Sequence, residues 1–265
     1  MVETITSTSN PKIKKLIALQ QKSSERRESG LFVVEGRREL SHCLEAGFEA
    51  DTIFVLSGTG AEFDASLAKS GNSRARIIEV SKEVYEKIAY REGTEGVIAE
   101  MKARHASLKE LKLKENPLIA VLESVEKPGN LGAVLRSADA AGADAVVICD
   151  PRTDLYNPNL IRASIGAIFT VPCVACSSEE AISFFKDNGI QILTAQLQDS
   201  SLYYDCDMKR GTAIVMGTEA TGLTDVWRKA ADAHIRIPML GRLDSLNVSV
   251  SAAILLFESI RQRNG

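Results

Sequence analysis

Leu118-Ile-Ala-Val-Leu122, Asn130-Leu-Gly-Ala-Val-Leu-Arg-Ser-Ala-Asp-Ala-Ala141 and Ala145-Val-Val-Ile148 decide the fold. The outer two runs are short, uninterrupted and β-branched, the pattern of strands buried on both faces. The middle run places Leu131, Val134, Leu135 and Ala138 at i, i+3, i+4 and i+7, one apolar stripe of a helix that Gly142 closes. Strand, helix and strand in that order, with connections this short, make a parallel βαβ unit.

The same alternation continues to the end of the chain. Strands are expected at 171–175, 190–194, 213–217 and 234–237. Helices are expected from Asn157-Pro158 to about Phe169, at 179–187, near 223–231, and from about 246 to 263. The part before Pro117 reads as a smaller α/β module. It has strands at 31–34, 52–56, 76–80 and 96–101, and helices at 35–46, 61–69 and 81–89. The charge-rich stretch 102–116, which closes on Pro117, reads as a linker, either plain or in part helical. Three segments follow: a first domain over 1–105, a linker over 106–116 and a second domain over 117–265.

Composition sets outer limits. Of the 265 residues, 45% are hydrophobic and 25% charged, which excludes a disordered or collagen-like chain. No apolar run reaches the roughly 20 residues of a membrane-spanning helix, so no membrane partner is expected. The first residues carry no cationic end followed by an apolar stretch, and no secretory leader is read there. The five cysteines are too scattered for a disulfide framework, which points to a reducing, cytoplasmic location. Cys173 and Cys176 lie in a strand pattern and read as sheet residues rather than a redox pair. Three distant histidines suggest no metal site.

A net charge of −3 at first argues against nucleic acid, but it sums two unlike parts. Residues 1–116 hold 19 Lys and Arg against 18 Asp and Glu, and the remainder 13 against 17. The basic excess gathers in 11–27, where Lys12, Lys14, Lys15, Lys22, Arg26 and Arg27 face one acid, Glu25. This reads as an amphipathic helix capped at Ser9-Asn10-Pro11, either a solvated face or an arm that touches a phosphate backbone.

Three stretches carry more polar detail than packing requires. In the first, Gly132, Arg136 and Asp139 share a helix face away from the apolar stripe, and Asn130 is placed to cap the helix. The second, Met216-Gly217-Thr-Glu219-Ala-Thr-Gly222-Leu223, takes a strand into a two-glycine loop. It is neither a dinucleotide fingerprint nor a Walker loop, which sets aside a nicotinamide-dependent enzyme. The third, Ile235-Arg-Ile237-Pro-Met239, leads to Ser245-Leu246-Asn247-Val-Ser249, with Ser245 placed to cap the last helix.

In this order the three stretches resemble the motifs of the SpoU (TrmH-type) RNA 2'-O-ribose methyltransferases: Asn-x-Gly-x-x-x-Arg, Gly-x-Glu-x-x-Gly-Leu, then Ile-Pro-Met and Ser-Leu-Asn-Val-Ser. The resemblance covers about 117–263, and Phe32-Val-Val-Glu-Gly36 resembles the ribosomal-protein-like substrate-binding domain often placed ahead of it. It implies an α/β parallel-sheet domain with a trefoil knot, where general sheet rules alone give an unknotted doubly wound sheet. It implies S-adenosylmethionine as cofactor, held by Thr194, Ala195, Gly217, Ile237, Met239 and Leu246, and no metal. It implies catalysis by Arg136 with Asn130, Glu219, Ser245 and Asn247, although an Arg stays protonated and is a poor base. It implies a homodimer through the second domain, for which the stripe Val250, Ala253, Ile254 and Phe257 is suited, as it equally is for plain core. Ribosomal RNA is favoured as substrate. Transfer RNA, or a non-catalytic RNA- or ribosome-binding member, are the alternatives.

Overall fold

The structure, a computed structural model, describes residues 3–59, 75–90, 95–218 and 221–265. The helix expected at 61–69 lies outside the described residues. Contacts divide the chain into two units, one of 1–104 with 154–170, the other of 105–153 with 171–265.

The first unit is a mixed five-stranded sheet in the order β1 (Glu3–Ile5), β4 (Arg76–Val80), β3 (Ala50–Leu56), β5 (Val97–Lys102), β2 (Leu31–Glu35). Strand β5 runs antiparallel to both β3 and β2, whereas β1, β4 and β3 are parallel. Three residues are too short a run to be legible in sequence, and β1 escapes that reading for this reason. The basic segment is two helices, α1 (Pro11–Gln21) and α2 (Ser23–Ser29), broken where Lys22 is extended at φ −118°. Asn10 caps α1 as expected, accepting from the Lys12 amide at 2.9 Å. Ile13, Leu16 and Leu19 are buried.

The basic side chains divide by use. Lys12 pairs with Glu3, and Lys15 reaches the buried Glu100 at 2.8 Å. Arg26 is itself only 6% exposed and donates to Asp154 at 2.5 Å and to the Leu19 carbonyl at 2.6 Å. Lys14, Lys22 and Arg27 remain exposed and without a partner among the described residues. Burial pushes the Glu100 carboxyl above its ordinary range, partly offset by Lys15.

Residues 154–170 follow the second unit's β7 in sequence yet pack in the first unit. They form α6 (Pro158–Ala163), capped by Asn157, and α7 (Ala167–Thr170), rather than one helix to Phe169. Ile165 and Gly166, at φ +55° and +82°, turn the chain between them. Tyr156 stacks on Phe32 at 4.2 Å, and Phe169 stacks on Phe32 and meets Phe48 edge-on. These aromatic pairs are why the segment departs from a division by sequence position alone.

The second unit is a parallel sheet of seven strands, in the order β10 (Ser201–Leu202), β12 (Ala233–Arg236), β9 (Gln191–Ala195), β11 (Thr212–Met216), β6 (Leu118–Glu123), β7 (Ala145–Cys149), β8 (Cys173–Cys176). Every residue of β6, β7 and β11 is buried, as uninterrupted apolar strands require. Four helices serve this sheet: α5 (Pro128–Ala140), α8 (Ser178–Asp187), α9 (Asp225–Ala230) and α10 (Val248–Asn264). Leu131, Val134, Leu135 and Ala138 are buried as the stripe predicts, each large side chain contributing about 1.5–3 kcal/mol. Trp227 of α9 is fully buried and donates from Nε1 to Ser178 Oγ at 2.8 Å, and Ser178 Oγ donates to Asp150 at 2.5 Å.

The stretch 106–116 is not a bare connection. Ser107 and Glu110 close a capping box on the turn Leu108–Glu110, and Leu108, Leu111 and Leu113 pack on the second unit's core. All five cysteines are free. Cys176 lies opposite Cys149 across parallel strands, and their hydrogen bond raises the Cys149 thiol and lowers that of Cys176. Burial pushes the Cys173 thiol up to about 12.

Asp154→Ala leaves the Arg26 guanidinium buried without its carboxylate. The variant is expected to lose about 3 kcal/mol in urea unfolding followed by circular dichroism. An unchanged midpoint would show that the Leu19 carbonyl alone satisfies Arg26.

Candidate functional site

Parallel strands bring all carboxyl ends to one side of the sheet, and loops that leave them shape the crevice there. In the second unit a cavity of about 650 Å³ opens at the ends of β9, β11 and β12. That volume lies within the roughly 300–1,000 Å³ of small-molecule sites.

One wall is the loop after β11. Thr218 and Gly222 form an isolated antiparallel bridge, the Gly222 amide donates to the Thr218 carbonyl at 3.0 Å, and the two hydroxyls of Thr218 and Thr221 meet at 2.8 Å. A Cβ on Gly217 would stand 2.4 Å from the Gly222 carbonyl, so only glycine allows this closure. Gly222 itself sits at φ +67°. Glu219 lies outside the described residues.

The loop is anchored by a residue that sequence reasoning passed over. Glu123, at the end of β6 and 3% exposed, accepts from the Thr224 amide at 2.9 Å and from its hydroxyl at 2.6 Å. An acid ending the apolar run 118–122 was the available signal. A buried carboxylate needs such donors.

The second wall is the loop from β12 to α10. Ile237, Met239, Ser245, Leu246 and Asn247 all line the cavity. So does Ala195, at the end of β9. Thr194 does not line it, because its hydroxyl shares a 2.6 Å hydrogen bond with His234 Nδ1 and is fully buried. Arg228, Arg236 and Asp244 also line the cavity, though none was singled out in the sequence.

The two expected caps fall elsewhere. Ser245 does not cap the last helix and instead donates to Asp244 at 3.2 Å. Asn247 is the cap of α10, accepting from the Ser249 amide at 2.9 Å and from its hydroxyl at 2.6 Å. Helix α5 starts at Pro128, two residues earlier than expected, so Asn130 lies within its first turn instead of capping it. The proline, with φ preset for a first helical turn, moves that start.

The consequence is a direct link between the first and third motifs. Helix α10 packs on α5, and Asn247 Nδ2 donates to Asn130 Oδ1 at 3.1 Å. Arg136 is six residues on from Asn130, about 120° around the helix axis at roughly 100° per residue. It is exposed, lies outside the cavity lining and has no partner among the described residues. The structure thus brings Ala195, Gly217, Ile237, Met239, Ser245, Leu246 and Asn247 to one cavity and Asn130 to its edge, and leaves Arg136 on the adjoining surface. Among the described residues no group of three or more His, Cys, Asp and Glu is placed to hold a metal.

The model of the SpoU rRNA Methylase family matches residues 117–257, and that of an MRM3-like substrate binding domain matches 10–99. The chain is 28% identical over 253 residues to the 23S rRNA (guanosine(2553)-2'-O)-methyltransferase RlmP of Bacillus subtilis, covering 96% of this chain and 97% of that one. A crystal structure of an RNA 2'-O ribose methyltransferase is 38% identical with a TM-score of 0.82, covering 99% of this chain and all of that one. The AdoMet-bound rRNA methyltransferase from Sinorhizobium meliloti is 30% identical with a TM-score of 0.90, covering 98% of each chain.

Asn247→Ala is expected to cost about 1 kcal/mol through loss of the cap, read by thermal unfolding. Asn247→Ser should restore most of that stability while remaining too short to reach Asn130. Equal destabilisation by both changes would show that the contact with Asn130, not the cap, carries the effect.

Proposed function

Because the chain belongs to the SpoU rRNA methylase family, we propose that it is an S-adenosylmethionine-dependent RNA methyltransferase acting on a ribose 2'-hydroxyl, with ribosomal RNA as its substrate. The observation that carries the reading is the cavity at the strand ends, where all three motifs meet or adjoin.

The residues fit the cofactor. Gly217 and Gly222 set no side chain of their own against the cavity, and Ile237, Met239 and Leu246 give apolar walls suited to an adenine and a thioether. Ala195 is small enough to complete that wall. S-adenosylmethionine supplies a methyl group on a sulfonium that leaves as a neutral thioether, so the leaving group needs no acid.

The protein's part is to position and stabilise. Asn247 is held by its own cap bonds and by Asn130, which fixes a side-chain amide at the cavity mouth. Ser245 presents a hydroxyl beside it. Arginine is a poor base, so the hydroxyl's proton is released to solvent rather than to Arg136. We assign it to hold an RNA phosphate and to stabilise the developing oxyanion, for which its exposed guanidinium is available. The first domain, over 1–105, holds the RNA, with the exposed Lys14, Lys22 and Arg27 as backbone contacts. The enzyme works where its ribosomal substrate is, in the cytoplasm. No helix of the described residues is long and apolar enough to cross a membrane.

The trefoil knot and the homodimer belong to the same reading. The first comes from the family alone, and a strand order that carries the chain from β11 past β9 to β12 is compatible with it. The last helix supports the second. Its inward face is Ala252, Leu255, Leu256 and Ser259, leaving Val250 and Phe257 about half exposed one above the other.

Purified protein is expected to transfer labelled methyl from S-adenosylmethionine to RNA. Arg136→Ala should reduce transfer by about 10²–10³-fold without changing cofactor affinity in calorimetry. Gly217→Ala should do the reverse, weakening cofactor binding first. Undiminished transfer by the Arg136 variant would refute its role, and mapping 2'-O-methyl positions with and without the gene separates ribosomal from transfer RNA.

Phe257→Glu is expected to turn a dimer into a monomer in light scattering. A wild-type monomer would remove the dimer from the reading.

A further inference from the structure

The first unit has a cleft of its own, of about 580 Å³, that the cofactor reading does not use. It runs between α1, the end of α4 (Lys82–Ile88), the start of α3 (Arg37–Glu45) and α6. At its mouth stands Tyr90, 63% exposed. A large ring left that open is unusual unless something covers it.

Tyr90 is nevertheless held in place. The Arg162 guanidinium lies 3.8 Å from the ring centroid, covering one face. Arg162 is in turn fixed by donating to Asn159 Oδ1. The Tyr90 amide donates to Glu35 Oε1 at 2.9 Å. One ring face is therefore backed by a cation and the other is presented to solvent, a flat platform whose position does not depend on a ligand.

The surroundings select for what stacks there. Ile17 gives an apolar floor. The acids of the cleft are already engaged: Glu35 with the Tyr90 amide, Glu95 with the Arg37 amide at 2.8 Å, Glu39 with Arg38. Lys87 has no partner among the described residues, and Lys14 lies one helical turn before Ile17 on the same stripe of α1. A neutral flat group carried on an anionic backbone suits such a place: the ring takes the flat group, and the lysines take the backbone charge.

We infer that this cleft is a nucleobase site, in which an unpaired base of the RNA stacks on the open face of Tyr90 with Arg162 behind the ring. Stacking on an aromatic side chain is open only to bases not already stacked in a duplex, so the site selects a single-stranded or looped stretch. The inference rests on the reading of the protein as an RNA methyltransferase and adds to it which part of the RNA the first unit grips.

The test is fluorescence anisotropy of the full chain with a labelled single-stranded RNA of about ten nucleotides, and with the duplex made from it. Tyr90→Ala is expected to weaken single-strand binding about tenfold or more and to leave duplex binding unchanged. Tyr90→Phe, which keeps the ring, should bind within about twofold of wild type. Calorimetry with S-adenosylmethionine should show all variants alike, which guards against misfolding. Wild-type affinity of Tyr90→Ala for the single strand would overturn the base site while leaving methyl transfer to RNA intact. Absence of methyl transfer to RNA by the wild type would instead overturn the reading on which the site rests. Equal loss of single-strand and duplex binding would make Tyr90 a general support of the surface and also overturn the base site.

Discussion

Parallel pairing is the constraint on which the second unit depends. A parallel strand cannot follow its neighbour by a hairpin, so every connection must cross over the sheet, and every carboxyl end arrives at the same edge. The interior of that sheet is filled by side chains with no chemistry to offer: β6, β7 and β11 are buried along their whole length. Polar function is therefore confined to the loops at one edge. The Gly217–Gly222 closure, the Pro238–Asn247 connection and the first turn of α5 all belong to that edge or stand beside it, although 117 positions separate Asn130 from Asn247.

Hydrogen bonds by buried or capping side chains convert this general placement into a particular cavity. Glu123 holds Thr224, which fixes the far end of the glycine loop. Asn247 begins α10 and touches Asn130. Neither link is strong by itself, at about 1–3 kcal/mol for a bond that satisfies a buried charge and less at an exposed one. Their effect is geometric: each joins segments far apart in sequence at the point where a ligand would have to be gripped.

Most of the fold was legible because its signals were redundant. The strands 118–122 and 145–148 and the stripe of Leu131, Val134, Leu135 and Ala138 carried both periodicity and burial. Errors fell where a single residue decided the outcome. Pro128 moved a helix start, Gly166 divided a helix, and Lys22 broke the basic segment in two. Short strands such as β1 and β10 left no periodicity to read. At the candidate site the residue types were legible and their partners were not. Thr194 turned toward His234, and half of the basic segment was drawn into ion pairs, because which charge meets which is settled by contacts between distant residues such as Lys15 and Glu100.

The excursion of 154–170 bears on how this chain is put together. A gene fragment ending near residue 105 would keep all five strands of the first sheet but would lack Asp154, the carboxylate that neutralises Arg26, and Tyr156 and Phe169, which cover Phe32. A fragment starting at 117 would carry those same aromatic residues with nothing of their own unit to bury them. The backbone passes between the units three times, so no single cut in the sequence separates them. A cut at a single point in the sequence therefore parts Arg26 from the carboxylate that pairs with it and Phe32 from the rings stacked on it.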